Sequence, residues 1–255
     1  MIKTDAKFEY SLILPCYNES GALAYLFNQY GPLALERSVE VVFVNNGSKD
    51  DTEAVYQQLL EKNPQYKNVF KYVHEIVNKG VGGGLKAGAR AASGQWLAFT
   101  HADEQYGRAS VEKIIQLKEQ HKEKDLVLFK GCRSGRPVRA LFFSRCFDVA
   151  ASLATGMAFF DINAQPKIFK APPREFWNYA PDDYCIDVFM IASYKKAGGL
   201  VRSTLVPLQE RLSGTSSWSR GYKGTMKLAS NYVQFLRAVD LHPGAQVLAQ
   251  GSKKI

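Results

Sequence analysis

The chain has 255 residues, 46% of them hydrophobic and 22% charged, and carries a formal net charge of +9 at pH 7. That balance belongs to a globular protein able to bury a sizeable core; it excludes a disordered chain, and the positive surplus favours anionic partners such as phosphates, nucleic acid or an acidic membrane. Cys16, Cys132, Cys146 and Cys185 are scattered with no CxxC pair, which argues against a zinc ribbon or a disulfide scaffold and for a reducing, cytoplasmic compartment.

The amino terminus, MIKTDAKFEYS, lacks the apolar run of a secretory leader. Tyr10 to Leu14 (YSLIL) is a short apolar run closed by Pro15, and Val39 to Val44 (VEVVFV) is another, closed by Asn-Asn-Gly-Ser; both read as buried parallel strands. Between them Gly21 to Tyr30 has apolar residues at helical spacing, completing a βαβ unit. The alternation continues with a helix over Asp51 to Leu60, a strand over Val69 to Ile76 and a helix over Leu85 to Ala92. A strand over Trp96 to Phe99, an amphipathic helix over Ala109 to His121 and a strand over Leu126 to Phe129 follow. Beyond Gly131 the rhythm changes: Arg133, Arg136, Arg139 and Arg145 precede or enter a largely apolar helix over Phe142 to Phe160. The longest uncharged apolar stretch, Val149 to Phe160, falls short of the roughly 20 residues a spanning helix needs, so contact with a membrane surface is expected rather than a crossing. A strand over Pro166 to Lys170, a helix over Tyr184 to Ala197 and a strand over Leu200 to Leu208 complete an α/β domain ending near residue 225. Residues 226–255 read as an appendage: an amphipathic helix over Met226 to Val239, then a frayed tail from His242.

The first strand-to-helix turn is PCYNES and not the GxGxxG of a dinucleotide-binding fold, and no GxxxxGK[ST] occurs anywhere. Four segments instead stand in order: LPCYNES from Leu14, VNNGSKDDT from Val44, NKGVGGGLKAGARAASG from Asn78 and HADEQ from His101. Together they resemble the motifs of the family 2 inverting glycosyltransferases, and within that family most of all the dolichol- and polyprenyl-phosphate sugar synthases. The resemblance runs from about Tyr10 to about Trp218. It implies a GT-A fold, with a mostly parallel central sheet covered by helices on both faces. It also implies transfer of a hexose-type sugar from a UDP- or GDP-sugar to a polyprenyl phosphate at the cytoplasmic membrane face. Two alternatives stay open: a soluble transferase acting on a glycan hydroxyl, and an inactive nucleotide-sugar-binding relative. Nucleic acid is not an expected partner, since only net charge favours it.

Each motif supplies side chains that such chemistry needs. Pro15, Tyr17 and Glu19 offer an aromatic face and hydrogen-bonding groups to a nucleoside; the purely structural alternative is a capped turn at Asn18 or Ser20. Asn45, Asn46 and Ser48 stand where the family usually has two aspartates and a serine, and serve equally well as Asn-Gly turn chemistry. Lys79, Gly82 and the neighbouring glycines precede a helix whose amides can meet a phosphate. In His101-Ala102-Asp103, the histidine replaces the first aspartate of the family's metal motif. Asp103 and Gln105 are the implied ligands of Mg²⁺ or Mn²⁺; His101, on the donor side with Ala102, can donate to ribose or phosphate, or ligate Mn²⁺ more readily than Mg²⁺. The resemblance further implies Asp161, and after it Asp187, as catalytic carboxylates. Arg133, Arg139, Ser144 and Lys167 are implied at an acceptor phosphate, Arg211 as a clamp on the diphosphate, and Trp218 as part of a closing loop on the acceptor side.

Overall fold

Strand β1 (Phe8–Cys16) is buried through its middle, and β2 (Val39–Asn46) is buried at every position. Near-continuous apolar runs of this kind form where a parallel strand is covered on both faces. The computed structural model that shows this describes residues 7–103, 105–121, 126–136, 138–207, 209, 230, 234–238 and 240–253; the side chains of residues 139, 140, 143 and 253 lie outside that set. Between these strands runs α1 (Leu23–Arg37), followed by α2 (Thr52–Lys62), β3 (Phe70–Glu75), α3 (Gly80–Ala91), β4 (Gly94–Phe99), α4 (Arg108–Gln120) and β5 (Val127–Ser134). The second half holds α5 (Val138–Thr155), β6 (Lys167–Lys170), α6 (Ile186–Lys196), β7 (Leu200–Pro207) and α7 (His242–Lys253).

The seven strands form one sheet in the order β3-β2-β1-β4-β6-β5-β7. All neighbours pair in parallel except β6, which is antiparallel to both β4 and β5. A core on one face joins α1, α2 and α4 to the sheet through Leu26, Phe27, Tyr56, Val111 and Ile114. The core on the other face joins α3, α6 and α7 through Leu85, Ile186, Phe189 and Leu248. Helices therefore cover both faces, and the order reverses at β1, which lies between β2 and β4. In such sheets ligands bind beyond the carboxyl ends of the strands at the reversal, which is where the four sequence motifs fall.

Several elements differ from their sequence outline. The helix expected to stop at Tyr30 continues through Pro32 to Arg37, because Leu33 and Ala34 are buried against the sheet. The expected helix from Leu85 begins at Gly80, so the glycines form its first turns. The apolar helix runs over Val138–Thr155 and ends where Gly156 takes φ 68°. The tail from His242 is not frayed: it is α7, with Leu241, Ala245 and Leu248 buried and Gly244 packed on Phe189. Most of the expected 226–239 helix lies outside the described residues, although Leu236 is buried in the core. Among the described residues no helix is long and apolar enough to cross a membrane.

Candidate active site

Parallel pairing of Pro15 with Val44 and Cys16 with Asn45 brings the exits of β1 and β2 together. The two loops beyond are laced to each other. The Asn18 N–H donates to Ser48 Oγ (3.0 Å), Lys49 N–H to Asn18 Oδ1 (2.8 Å), Ser20 N–H to Asp50 Oδ2 (3.1 Å) and Glu19 N–H to Thr52 Oγ1 (3.1 Å). Burial alone would raise the Asp50 carboxyl, but the hydrogen bonds from Thr52 and Ser20 outweigh it and hold the group below its ordinary value. The lacing leaves the Tyr17 ring 40% exposed at the rim.

Donor contact is expected of Asn45 and Asn46, yet both are buried and turned to internal work. Asn45 Oδ1 accepts the Ser48 N–H at 2.9 Å. Asn46 donates to the Gly80 carbonyl at 2.8 Å and accepts the Lys79 N–H at 3.3 Å, tying β2 to the start of α3. The glycine turn also departs from expectation. The Gly83 N–H donates to the Asp182 carbonyl (2.8 Å), and a Cβ on Gly82 would lie 2.3 Å from the Pro181 carbonyl oxygen. Lys86 donates to the Ala180 carbonyl (2.9 Å) and pairs with Asp182, while Lys79 pairs with Glu75 at 2.5 Å. The glycines thus allow close packing of residues 180–183 on the helix start, instead of opening that turn to a diphosphate.

At the end of β4 the Thr100 N–H still bonds the Ile13 carbonyl (3.3 Å), and the chain then leaves the sheet. The His101 ring meets the Phe99 ring edge-on at 5.6 Å, and Ala102 is buried in the core of that face. Asp103 Oδ1 accepts the Gln105 N–H at 3.4 Å, and the Gln105 carbonyl accepts the Gln209 N–H at 3.1 Å. Tyr106 is buried, its carbonyl accepting the Tyr30 hydroxyl at 2.7 Å. Burial pushes the Tyr106 phenol well up; the charge of Arg133 opposes this, and the carboxylates of Asp161 and Asp103 also act on it. One buried ring is therefore within electrostatic reach of both Asp103 and Asp161, so the two halves of the site adjoin.

The second half is built on β5, α5 and the turn before β6. Asp161 has φ 46° and is 6% exposed. Its Oδ2 accepts the Arg133 N–H at 2.7 Å; its Oδ1 accepts Arg133 Nε at 2.9 Å and also Nη2. Burial would raise this carboxyl, but Arg133 outweighs burial and holds it below its ordinary 3.8. Ser144 Oγ accepts Arg136 Nη1 at 2.8 Å and Arg133 Nη2 at 3.4 Å, and the Arg145 guanidinium stacks 3.7 Å from the centre of the Phe160 ring. A cleft opens here between Arg133, Ser144, Arg145, Phe160 and Asp161.

Lys167 and Asp187, expected at acceptor phosphate and at the chemistry, form an interior pair instead. Lys167 is 1% exposed; its ammonium donates to Asp187 Oδ1 at 2.5 Å and to the Ala164 carbonyl at 2.9 Å, and Gln165 donates to the same carboxylate at 3.0 Å. The reason is register: Lys167 faces Lys130 across the antiparallel β5–β6 ladder, inside the sheet's covering layer. Lys130 donates to the carbonyls of Gly131 (2.7 Å) and Phe160 (3.2 Å), and burial, then the charge of Lys167, pull its amine down to about 8. Arg139 lies in α5 with its side chain outside the described residues, as do Arg211 and Trp218 entirely.

Sequence reasoning passed over Lys130, Tyr106 and Asp148. The last had a signal, being the single acidic residue in the apolar stretch from Phe142 to Phe160. Asp148 Oδ2 accepts the Asp161 N–H at 2.7 Å, and Oδ1 the Ile162 N–H at 3.2 Å.

Residues 11–139, half of the chain, match the family model described as glycosyl transferase family 2. The chain belongs to glycosyl transferase family 2. An uncharacterized glycosyltransferase of Nostoc sp. is 33% identical over 109 residues, covering 42% of this chain and 32% of that one. The dolichyl-phosphate beta-glucosyltransferase of Dictyostelium discoideum is 26% identical over 132 residues, covering 49% and 39%. The undecaprenyl-phosphate 4-deoxy-4-formamido-L-arabinose transferase of Pseudomonas savastanoi pv. phaseolicola is 25% identical over 166 residues, covering 63% and 47%. This family 2 chain thus spans about a third to a half of the length of the curated relatives it matches. Among solved structures, glucosyl-3-phosphoglycerate synthase from Mycobacterium tuberculosis with Mn²⁺, UDP-glucose and phosphoglyceric acid superposes at TM-score 0.66, with 16% identity over 93% of this chain and 82% of that one. At that identity the likeness is one of fold, the GT-A fold.

Proposed function

We propose that this protein is an inverting glycosyltransferase that moves a hexose-type sugar from UDP or GDP to a polyprenyl phosphate at the cytoplasmic face of a membrane. Asp161 is the observation that carries the reading. Its carboxylate is ionised and engaged by Arg133 through backbone and guanidinium. A group held that way is a poor base for a hydroxyl but well suited to orienting an acceptor that has already lost its proton. An acceptor phosphate oxygen attacks the anomeric carbon while the bond from that carbon to the diphosphate oxygen breaks, inverting the configuration.

Charge and surface support the same acceptor. Among the described residues Lys130, Arg133, Arg136, Arg145 and Lys167 are gathered with Asp148, Asp161 and Asp187, an excess of cations in a partly buried place that an anion offsets. Arg133 and Ser144 are proposed to contact the phosphate, with Arg139 and Trp218 as further acceptor residues. Next to this cleft α5 exposes Val138, Phe142, Val149 and Leu153, the last 82% exposed. An apolar face beside arginines suits the surface of an anionic bilayer, where the acceptor's lipid tail resides. Relatives named for dolichyl and undecaprenyl phosphate agree with that choice.

On the donor side Tyr17, Pro15, Glu19 and Ser48 form the proposed nucleoside rim, with Arg211 as a diphosphate clamp. At the β4 exit one carboxylate (Asp103), one amide oxygen (Gln105) and one imidazole (His101) offer a ligand set that fits Mg²⁺ or Mn²⁺. That ion would take its other ligands from diphosphate and water. Such an ion, when bound, neutralises charge on the departing diphosphate. The Mn²⁺ and UDP-glucose in the mycobacterial structure support this assignment.

The test is transfer from UDP- and GDP-sugars to undecaprenyl phosphate in vesicles, compared with undecaprenol, a glycan hydroxyl and phosphoglyceric acid. Transfer to the lipid phosphate alone is expected. Transfer to the free hydroxyl at an equal rate would overturn the role given to Asp161, and transfer to phosphoglyceric acid in preference would remove the lipid.

A further inference from the structure

A non-glycine residue at positive φ persists only where its surroundings hold it, and such residues concentrate at functional sites. Asp161 is one, at φ 46°, and three parts of the molecule pin its backbone. Asp148, reaching inward from α5, accepts the Asp161 N–H at 2.7 Å and the Ile162 N–H at 3.2 Å. Lys130 of β5 donates to the preceding carbonyl, that of Phe160, at 3.2 Å. The Ala164 N–H closes the turn on the Asp161 carbonyl at 3.0 Å. Of these anchors only Asp148 takes two consecutive peptide N–H groups, and it is itself buried and braced by Arg145 at 3.5 Å.

We propose that Asp148 is a positioning residue that fixes Asp161, and through it Arg133, in the orientation used for sugar transfer. The inference rests on the reading of the preceding subsection for its kinetic consequence, while the anchoring itself is independent of any substrate. A carboxylate gripping two adjacent N–H groups sets the direction in which the Asp161 side chain leaves the turn, and Arg133 then meets that carboxylate with three donors. Asp148 also lines the cleft beside Asp161, but its two oxygens are turned to the Asp161 and Ile162 N–H groups. Its other side belongs to the helix whose opposite surface is apolar and exposed, so the element facing the lipid is also the one that aims the acceptor carboxylate.

Two variants and two measurements test this. Asp148→Ala removes both acceptors; Asp148→Asn keeps one oxygen toward the N–H pair. With UDP-sugar and undecaprenyl phosphate, Asp148→Ala is expected to lower kcat about 100-fold, the scale of a slight misplacement of a reacting group, while UDP affinity measured by calorimetry stays unchanged. Asp148→Asn is expected to recover at least about tenfold of that loss, since an N–H acceptor is restored. Hydrogen exchange is expected to show the Asp161 and Ile162 amides losing protection in Asp148→Ala while β1 and β2 keep theirs. Wild-type kcat in Asp148→Ala, or unchanged protection at Asp161 and Ile162, would overturn the proposal. So would parallel loss of kcat, UDP affinity and protection throughout the sheet, which marks general unfolding. A wild-type protein that binds UDP and transfers nothing would overturn the functional reading and the kinetic role together, leaving the exchange result to decide the anchoring.

Discussion

Asp161 and Lys130 show how burial and neighbours divide the work of charged groups. The folded-state pKa of Asp161 lies below its ordinary 3.8, so its ion pair adds stability above that value and loses it as pH falls through the folded value. Asp161→Asn should therefore cost about 3 kcal/mol at neutral pH by leaving Arg133 unpaired, and the difference from wild type should shrink below pH 3.8 in urea titrations. The same variant should retain UDP binding and lose transfer. Lys130 behaves oppositely: its amine is lowered from 10.5 to about 8, so the unfolded chain binds more protons between those values and stability rises with pH across that window. Lys130→Met should flatten that rise, read as urea midpoints compared between pH 7 and pH 10. Were His101 to join the proposed ion's ligands, its nitrogen would favour Mn²⁺ over Mg²⁺. His101→Asp should strengthen UDP binding in Mg²⁺ relative to Mn²⁺ by calorimetry, and an unchanged ratio would remove His101 from the ion's surroundings. Asp103, past the end of β4, and Asp161, in the turn before β6, were legible as candidates because both sit in recognisable segments. What each polar group bonds to was not, since Lys167 and Asp187 meet only when the chain after β6 returns α6 onto it and brings residues twenty positions apart into contact.

Elements were legible where burial on the sheet alone decides them. The runs in β1 and β2 and the spacing in α4 reflect burial on the nearby sheet, and their bounds moved by few residues. The start of α3 was obscure because glycine reads as a breaker; what makes it helical is a distant segment, residues 180–183, packed against it. Gly82→Ala should cost about 2 kcal/mol by forcing a methyl toward the Pro181 carbonyl, read as a lower urea midpoint with the slope unchanged. The same reasoning explains α7, whose Gly, Gln and Ser content suggests fraying while Leu241, Ala245 and Leu248 fall on one stripe that α6 covers. Helix α5 stands apart, since its apolar residues do not all find protein. Leu153→Asp should reduce co-sedimentation with anionic vesicles about tenfold without altering UDP affinity, and added salt should weaken what remains.

Across the whole molecule, the position of β6 sets the scale of the reaction proposed here. That short antiparallel strand separates β4, which delivers Asp103, from β5, which delivers Arg133. Two strand spacings amount to about 10 Å. For a transferase working along this edge, the interval would keep two anions apart: the departing diphosphate on the β4 side and the arriving phosphate on the β5 side, with a single anomeric carbon between them.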